Sequence, residues 1–325
     1  MIAAFLQKTN SLWRESLDPV IREFPDLEII LDPEEAERRI GEADILVGGK
    51  VKREIFEKAV NLKLVVVPFT GVNHLPFDLL KERGVKVANS HGNAWYVAER
   101  TIGMILAFYG RIIDYHNDLR QEQWHGFWVG QGLNDSWESV DGKTAAILGT
   151  GEIGRCIAEM LKGLRVRTIG YKRRRVNEVP EAFDEIVYDL NAAVGPADMV
   201  IIALPSTSAT RGLIGPDELA GMQGKFLVNI GRGDIVDEEG LYTALRNGIL
   251  RGAAVDCWYT YPREGTRGRP SRFDIHTLLN MVLSPHVGGF VSQAVKESVS
   301  HACENIAGFL RTGSPRFEVD IEAGY

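Results

Sequence analysis

Residues 143–155 read Lys-Thr-Ala-Ala-Ile-Leu-Gly-Thr-Gly-Glu-Ile-Gly-Arg. An apolar run of strand length meets three glycines, Gly149, Gly151 and Gly154, at G-x-G-x-x-G spacing, and a helix-like stretch follows. Each glycine has its own task. Gly149 permits the tight turn out of the strand, Gly151 lets backbone approach a pyrophosphate, and Gly154 lets the new helix pack closely on the sheet. The first helical turn, with Glu152 and Ile153, aims its amides at the phosphates. A glycine-rich turn, or a methyltransferase-type loop for another nucleotide, would share the spacing. Placement between a strand and a helix favours a dinucleotide and a βαβ unit.

The rest of the chain has the alternation such a unit needs. Apolar runs at 2–6, 27–31, 44–47, 62–67 and 85–88 are separated by amphipathic stretches such as 33–40 and 52–60. A long helical stretch spans 94–113. The segment 121–137, rich in Trp, Gly and His, has no clear period and reads as a loop or arm. A second series of strands is expected at 144–148, 166–170, 198–204, 226–230, 253–255 and 281–283, and a last helix at 292–310. Alternation of this kind predicts parallel sheets covered by helices. The expected fold class is α/β, with two doubly wound parallel-sheet domains. A Rossmann dinucleotide-binding domain, residues 96–290, is inserted into a flavodoxin-like substrate domain, residues 1–95 plus 291–325.

At 325 residues the chain suits about two domains. A net charge of −7 argues against a nucleic-acid surface and an anionic membrane. No apolar run reaches spanning length. Cys156, Cys257 and Cys303 are odd in number and far apart. They form neither a disulfide framework nor a metal cluster, which points to a reducing cytoplasm. Cys156 is expected to be packed rather than reactive.

Four positions suggest chemistry. Lys172-Arg173-Arg174-Arg175 follows the second strand of the dinucleotide unit, about 20 residues beyond the glycines. An acid there would accept from ribose hydroxyls, whereas cations accommodate a 2′-phosphate, so the run points to NADP rather than NAD. A solvated charge run is the bland alternative. Arg232, between Gly231 and Gly233, offers a planar fork to a carboxylate or carbonyl, or else pairs with Asp234 or Asp237. Asp256 follows a small-residue strand and either faces a cofactor or caps a turn. His286, in Ser284-Pro-His-Val-Gly-Gly289, suits a general acid or base, or a packed histidine.

Further motifs are Gly71-Val-Asn-His-Leu75, Asn93-Ala-Trp-Tyr-Val-Ala-Glu99, Leu204-Pro-Ser-Thr-Ser-Ala-Thr-Arg-Gly-Leu-Ile214 and the ending Val319-Asp-Ile-Glu-Ala-Gly-Tyr325. Together, and in this order, the motifs resemble the D-isomer-specific 2-hydroxyacid dehydrogenase family over nearly the whole chain. The resemblance implies that Arg232 binds a 2-keto acid and polarises its carbonyl, and that His286 protonates the oxygen. It implies that backbone amides around Thr70 and Gly71 hold the substrate carboxylate. Asp256 would contact the nicotinamide carboxamide, with Pro205, Ile230 and Gly231 lining the cofactor channel. It also implies a homodimer, to which the aromatic arm around Trp124, Phe127 and Trp128 could contribute.

Two departures from the family stand out. The basic run replaces the acid of its NAD-dependent members. Tyr261, before Pro262, stands where the family's catalytic glutamate normally sits. A carboxylate there would raise the histidine pKa and orient the ring; a neutral tyrosine would leave His286 nearer its ordinary value. Glu264, three residues on, could substitute for it. The stretch 263–272 is long and basic, fit for a substrate mouth or an exposed loop. Phe69, Thr70, Trp95, Tyr96, Trp258 and Tyr261 suggest an aromatic-lined pocket. The leading reading is a cytoplasmic NADP-dependent 2-keto-acid reductase. Its rivals are oxidation of another small anion, as in formate dehydrogenases, and a cofactor-sensing protein of corepressor type with little catalysis.

Overall fold

The structure is a computed structural model and describes every residue except Gln131, Val176 and Tyr325. The last residue of the 319–325 motif therefore lies outside the described residues. The chain divides into two compact units, Met1–Asn93 with Phe290–Tyr325, and Ala94–Gly289.

The first unit is built on five parallel strands: β1 (Ile2–Phe5), β2 (Glu28–Ile30), β3 (Ile45–Val47), β4 (Leu64–Val66) and β5 (Lys86–Ala88). Their order, β2-β1-β3-β4-β5, is the flavodoxin-like one. Ile45, Leu46, Val47, Leu64, Val65 and Val66 are all fully buried, as helices on both faces of a parallel sheet require. The last helix, Ser292–Thr312, covers one face with Val299, Ala302, Cys303 and Ile306. Asn305, fully buried in it, donates to the Asn89 carbonyl (2.8 Å) and accepts from Phe317 N–H (2.8 Å). The returning end is thereby fixed to the strand that precedes the second unit. A helix at Ser11–Glu23, capped by Asn10, packs Trp13, Leu17 and Val20 on the same face; it has no counterpart in the sequence reading.

The second unit carries seven parallel strands: β6 (Thr144–Leu148), β7 (Arg167–Tyr171), β8 (Glu185–Val187), β9 (Met199–Ile202), β10 (Phe226–Asn229), β11 (Gly252–Val255) and β12 (Met281–Leu283). The order is β12-β11-β10-β9-β6-β7-β8. The strand sequence reverses between β6 and β9, and doubly wound sheets bind ligands beyond the carboxyl ends of strands at such a reversal. Two sequence expectations need correction. Edge strand β8 was not anticipated, being three residues long with a glutamate at its start and no buried residue. The helix expected over 94–113 ends at Tyr109, and a second runs over Ile112–Leu119. Between them Arg111 takes a left-handed conformation (φ 49°), which no continuous right-handed helix admits. Among the described residues, no helix is long and apolar enough to cross a membrane.

Candidate active site

The glycine loop sits between β6 and the helix Glu152–Gly163. Gly149 has φ +108°, and a Cβ there would lie 2.6 Å from the Ala203 carbonyl oxygen. At Gly154 a Cβ would meet the Gly149 carbonyl oxygen at 2.0 Å. A Cβ on Gly151, in contrast, would meet nothing within 4 Å. The first and third glycines are thus dictated by the protein's own backbone, and the second keeps an open approach. Gly151 caps the helix with no side chain, which leaves the first-turn amides to a ligand. Phosphate groups of a dinucleotide fit this cradle.

β7 ends at Tyr171, and Lys172 N–H still bonds the Val187 carbonyl of β8 (3.2 Å). Arg173, Arg174 and Arg175 are exposed, and the Arg175 guanidinium lies 5.4 Å from the Tyr188 ring centre. Among the described residues, Lys172 and Arg173 enter no ion pair.

At the end of β10, backbone crowding again explains the glycines. A Cβ on Gly231 would lie 2.6 Å from the Leu204 carbonyl oxygen, and one on Gly233 2.5 Å from that of Trp258. Arg232 between them is extended and half-buried; its Nη1 donates to the Gly231 carbonyl (2.7 Å). Asn229 braces this turn by donating to the Arg232 carbonyl (2.9 Å) and accepting from Gly231 N–H (3.1 Å). The ion pair weighed from the sequence is absent among the described residues. Asp234 accepts from Ser206 and Arg211 instead, and Asp237 caps the helix Glu238–Arg246. The Arg232 cation lies beside Cys257, whose thiol burial pushes up to about 12.

His286 is exposed beyond β12 with φ +59°, a left-handed conformation that side-chain-bearing residues rarely hold. Its ring centre lies 5.4 Å from that of Tyr261, tilted by 45°. The Tyr261 hydroxyl accepts from Trp258 N–H (3.0 Å), and burial pushes its pKa up to about 12. Asp256 is almost wholly buried at the end of β11. Its carboxylate accepts from the Ser284 hydroxyl (2.5 Å) and from the Val287 and Gly288 amides (3.0 Å each). Pro205 opens a turn closed by Thr210, whose hydroxyl donates to the Pro205 carbonyl (2.6 Å), and Ile230 is buried. These residues are dispersed in sequence, yet β9, β10, β11 and β12 deliver them to the same edge of one sheet. Asn229, Ser284 and the Thr210 turn supply bracing, a role the sequence reading did not assign although Ser284 and Thr210 lie within its motifs.

In the first unit, Thr70 follows β4. Its hydroxyl lies 3.0 Å from the Ser90 carbonyl and 2.6 Å from Asn93 Oδ1, and Asn89 donates to its carbonyl (2.8 Å). Gly71 is half-buried beside it. The expected aromatic pocket needs revision. Trp258 is buried and its indole donates to the Ser284 carbonyl (2.8 Å), so it braces the His286 turn. Phe69 lies over Gly49, where a Cβ would touch the ring at 2.0 Å. Residues 262–269 are exposed, including Glu264. Their loop is pinned by Thr260 N–H to the Pro270 carbonyl (3.0 Å) and by Ser271 and Arg272 to Glu238.

The arm carries a further titratable cluster. His125 Nε2 lies 2.9 Å from Asp118 and Nδ1 2.7 Å from Asp135. The Asp135 carbonyl takes Arg111 Nη1 (2.6 Å) and the Tyr115 hydroxyl. Two flanking carboxylates suit only an imidazolium, and the bond to Asp135 is the main cause holding the His125 pKa above its ordinary 6.5. A raised pKa gives stability that is full below 6.5 and lost as pH rises through the folded-state value. The fluorescence of Trp124, Trp128 and Trp137 is therefore expected to titrate with a midpoint above 6.5, and His125→Gln to remove that transition. A midpoint at or below 6.5 would contradict the clamp.

The sequence pattern described as D-isomer specific 2-hydroxyacid dehydrogenase, NAD binding domain, matches residues 102–288. The D-3-phosphoglycerate dehydrogenase of Methanocaldococcus jannaschii is 30% identical over 90% of the chain, which spans 55% of that longer protein. The glyoxylate reductase of Thermofilum pendens is 29% identical over 96% of this chain and 91% of its own. A crystal structure of a Pyrococcus horikoshii OT3 protein superposes with TM-score 0.82 and 30% identity, covering 99% of this chain and 98% of that one. With a doubly wound sheet, a glycine-loop cradle and a family pattern across more than half its length, the chain belongs to the D-isomer specific 2-hydroxyacid dehydrogenases.

Proposed function

We propose that the protein is an NADP-dependent 2-keto-acid reductase in which Arg232 binds substrate and His286 supplies the proton. The family's activity is hydride transfer between NAD(P) and 2-keto or 2-hydroxy acids. The observation that carries the residue assignment is the convergence of Arg232, Tyr261 and His286 on the carboxyl edge of the sheet that also bears the glycine cradle. The nicotinamide, when bound, supplies the hydride. Arg232, held extended by its two crowded glycines, offers its guanidinium to the substrate's carbonyl and carboxylate. In the first unit, the backbone amides around Thr70 and Gly71 are assigned to a carboxylate. The His286 imidazolium gives its proton to the carbonyl oxygen as charge develops there.

Cofactor choice rests on the cations beyond β7. Lys172, Arg173 and Arg174 serve the 2′-phosphate in this reading, and no carboxylate occupies the first position after the strand. Lys172→Asp is expected to lower kcat/KM for NADPH by about 10- to 100-fold, since charge-assisted hydrogen bonds contribute about 1.5–3 kcal/mol. NADH kinetics are expected to improve, because the new carboxylate accepts from the ribose hydroxyls. Initial rates with both cofactors check this; a variant equally active with NADPH would count against the assignment. The arm supports a homodimer, with Trp124 (62%), Phe127 (76%) and Trp128 (87%) exposed. Sedimentation at micromolar concentration tests that pairing.

A further inference from the structure

We infer that Asp256, with Ser284 and Arg100, is a positioning residue for His286, holding the 284–288 turn in the backbone conformation that presents the imidazole. This rests on the reading of His286 as the acid. His286 has φ +59°. A residue with a side chain adopts that region only at a cost of order 1–3 kcal/mol, and only where surrounding structure over-determines it. Asp256 does so from below. One carboxylate oxygen accepts from the Ser284 hydroxyl (2.5 Å) and Val287 N–H (3.0 Å), the other from Gly288 N–H (3.0 Å).

The turn is thus pinned on both sides of His286. Position 284 is fixed three more times. Its N–H bonds the Val255 carbonyl (3.0 Å), its carbonyl accepts from the Trp258 indole (2.8 Å), and Arg100 Nη2 from the helix Ala94–Tyr109 reaches its hydroxyl (3.3 Å). Beyond the histidine, a Cβ on Gly288 would stand 3.0 Å from the Asp256 carboxylate, which would have to give by a few tenths of an ångström. Asp256 N–H in turn bonds the Asn229 carbonyl (3.0 Å), and Asn229 braces the Arg232 turn. One buried junction therefore sets both the cation and the acid. A carboxylate offers about four acceptor sites, and three are spent on this turn.

A double-mutant cycle on the full-length protein with NADPH tests the inference. Asp256→Asn keeps the shape but replaces one acceptor oxygen with a donor. It is expected to lower kcat by about 10- to 100-fold, as loss of an orienting outer partner does. In a His286→Ala background the same change is expected to cost nothing more, because its effect passes through the histidine. Ser284→Ala, a milder lesion should Asp256→Asn fail to fold, is expected to show the same non-additivity. A loss of kcat that persists in full without His286, or kcat left intact by Asp256→Asn, would overturn the inference. Absence of keto-acid reduction by the wild type would instead remove the reductase reading. The His286 ring resonances, followed by NMR without turnover, would still test the positioning. They are expected to shift in both variants, and unchanged resonances would overturn it.

Discussion

Replacement of His286 by alanine is expected to lower kcat for keto-acid reduction by about 10²- to 10⁴-fold, the range of general acid catalysis, with NADPH binding retained. The size of the effect follows from the product. Hydride addition to a carbonyl makes a basic alkoxide, and the site must supply a proton as the charge forms. His286 is exposed at the sheet edge on a strained turn, and Tyr261 beside it is neutral at working pH because its pKa stands at about 12. Tyr261→Glu would bring a carboxylate to a ring now 5.4 Å from the imidazole. The acid form of His286 then persists to higher pH, so the alkaline limb of kcat/KM for reduction is expected to move up by about one pH unit. A limb that moves down, or stays in place, would show that position 261 does not act on His286. Stopped-flow and steady-state rates, with NADPH affinity from fluorescence quenching, separate the proton step from binding.

Gly149→Ala is expected to destabilise the second unit strongly. The residue's φ of +108° is open to glycine and hostile to alanine, and the new methyl would lie 2.6 Å from the Ala203 carbonyl oxygen and 2.9 Å from its carbon. Backbone atoms at the end of a central strand cannot step aside as a flexible side chain does. Strain and overpacking together amount to about 2–5 kcal/mol, which lowers Tm by roughly 5–15 °C for a unit of this size. NADPH affinity falls with it, since the turn sets the first amides of the helix. Gly151→Ala provides the contrast. Its methyl meets no protein atom within 4 Å, so Tm stays near wild type while the methyl intrudes where phosphate would approach. Equal stability loss in both variants would contradict the division of labour among the glycines.

The parallel strands were legible because they are buried on both faces and so read as continuous apolar runs; Ala145–Leu148 and Met199–Ile202 have no exposed residue. Three-residue β8 lacked that signal, because an edge strand needs little apolar surface. The helix Ser11–Glu23 carries Trp13, Leu17 and Val20 at helical spacing, but Pro19 and a charged outer face obscure the period. Arg111 breaks the long helix through a left-handed residue, and arginine has no marked preference for that conformation. At the site, Arg232 and His286 stand out by their flanking glycines and prolines. What the sequence hid was the bracing: Asn229, Ser284 and Arg100 act through bonds to residues 3 to 184 positions away. Trp258 illustrates the same difficulty, since an aromatic beside motif residues reads as pocket lining when its indole is spent on the Ser284 carbonyl.

The most direct test of the account is NADPH oxidation across a panel of 2-keto acids from glyoxylate and hydroxypyruvate to phenylpyruvate, at acidic and neutral pH, with His286→Ala alongside. The expected result is rapid oxidation by the wild type on at least one acid, faster at the acidic pH, and loss of nearly all of it in the variant. Tight NADPH binding with no turnover on any acid, or turnover that survives removal of His286, would contradict it.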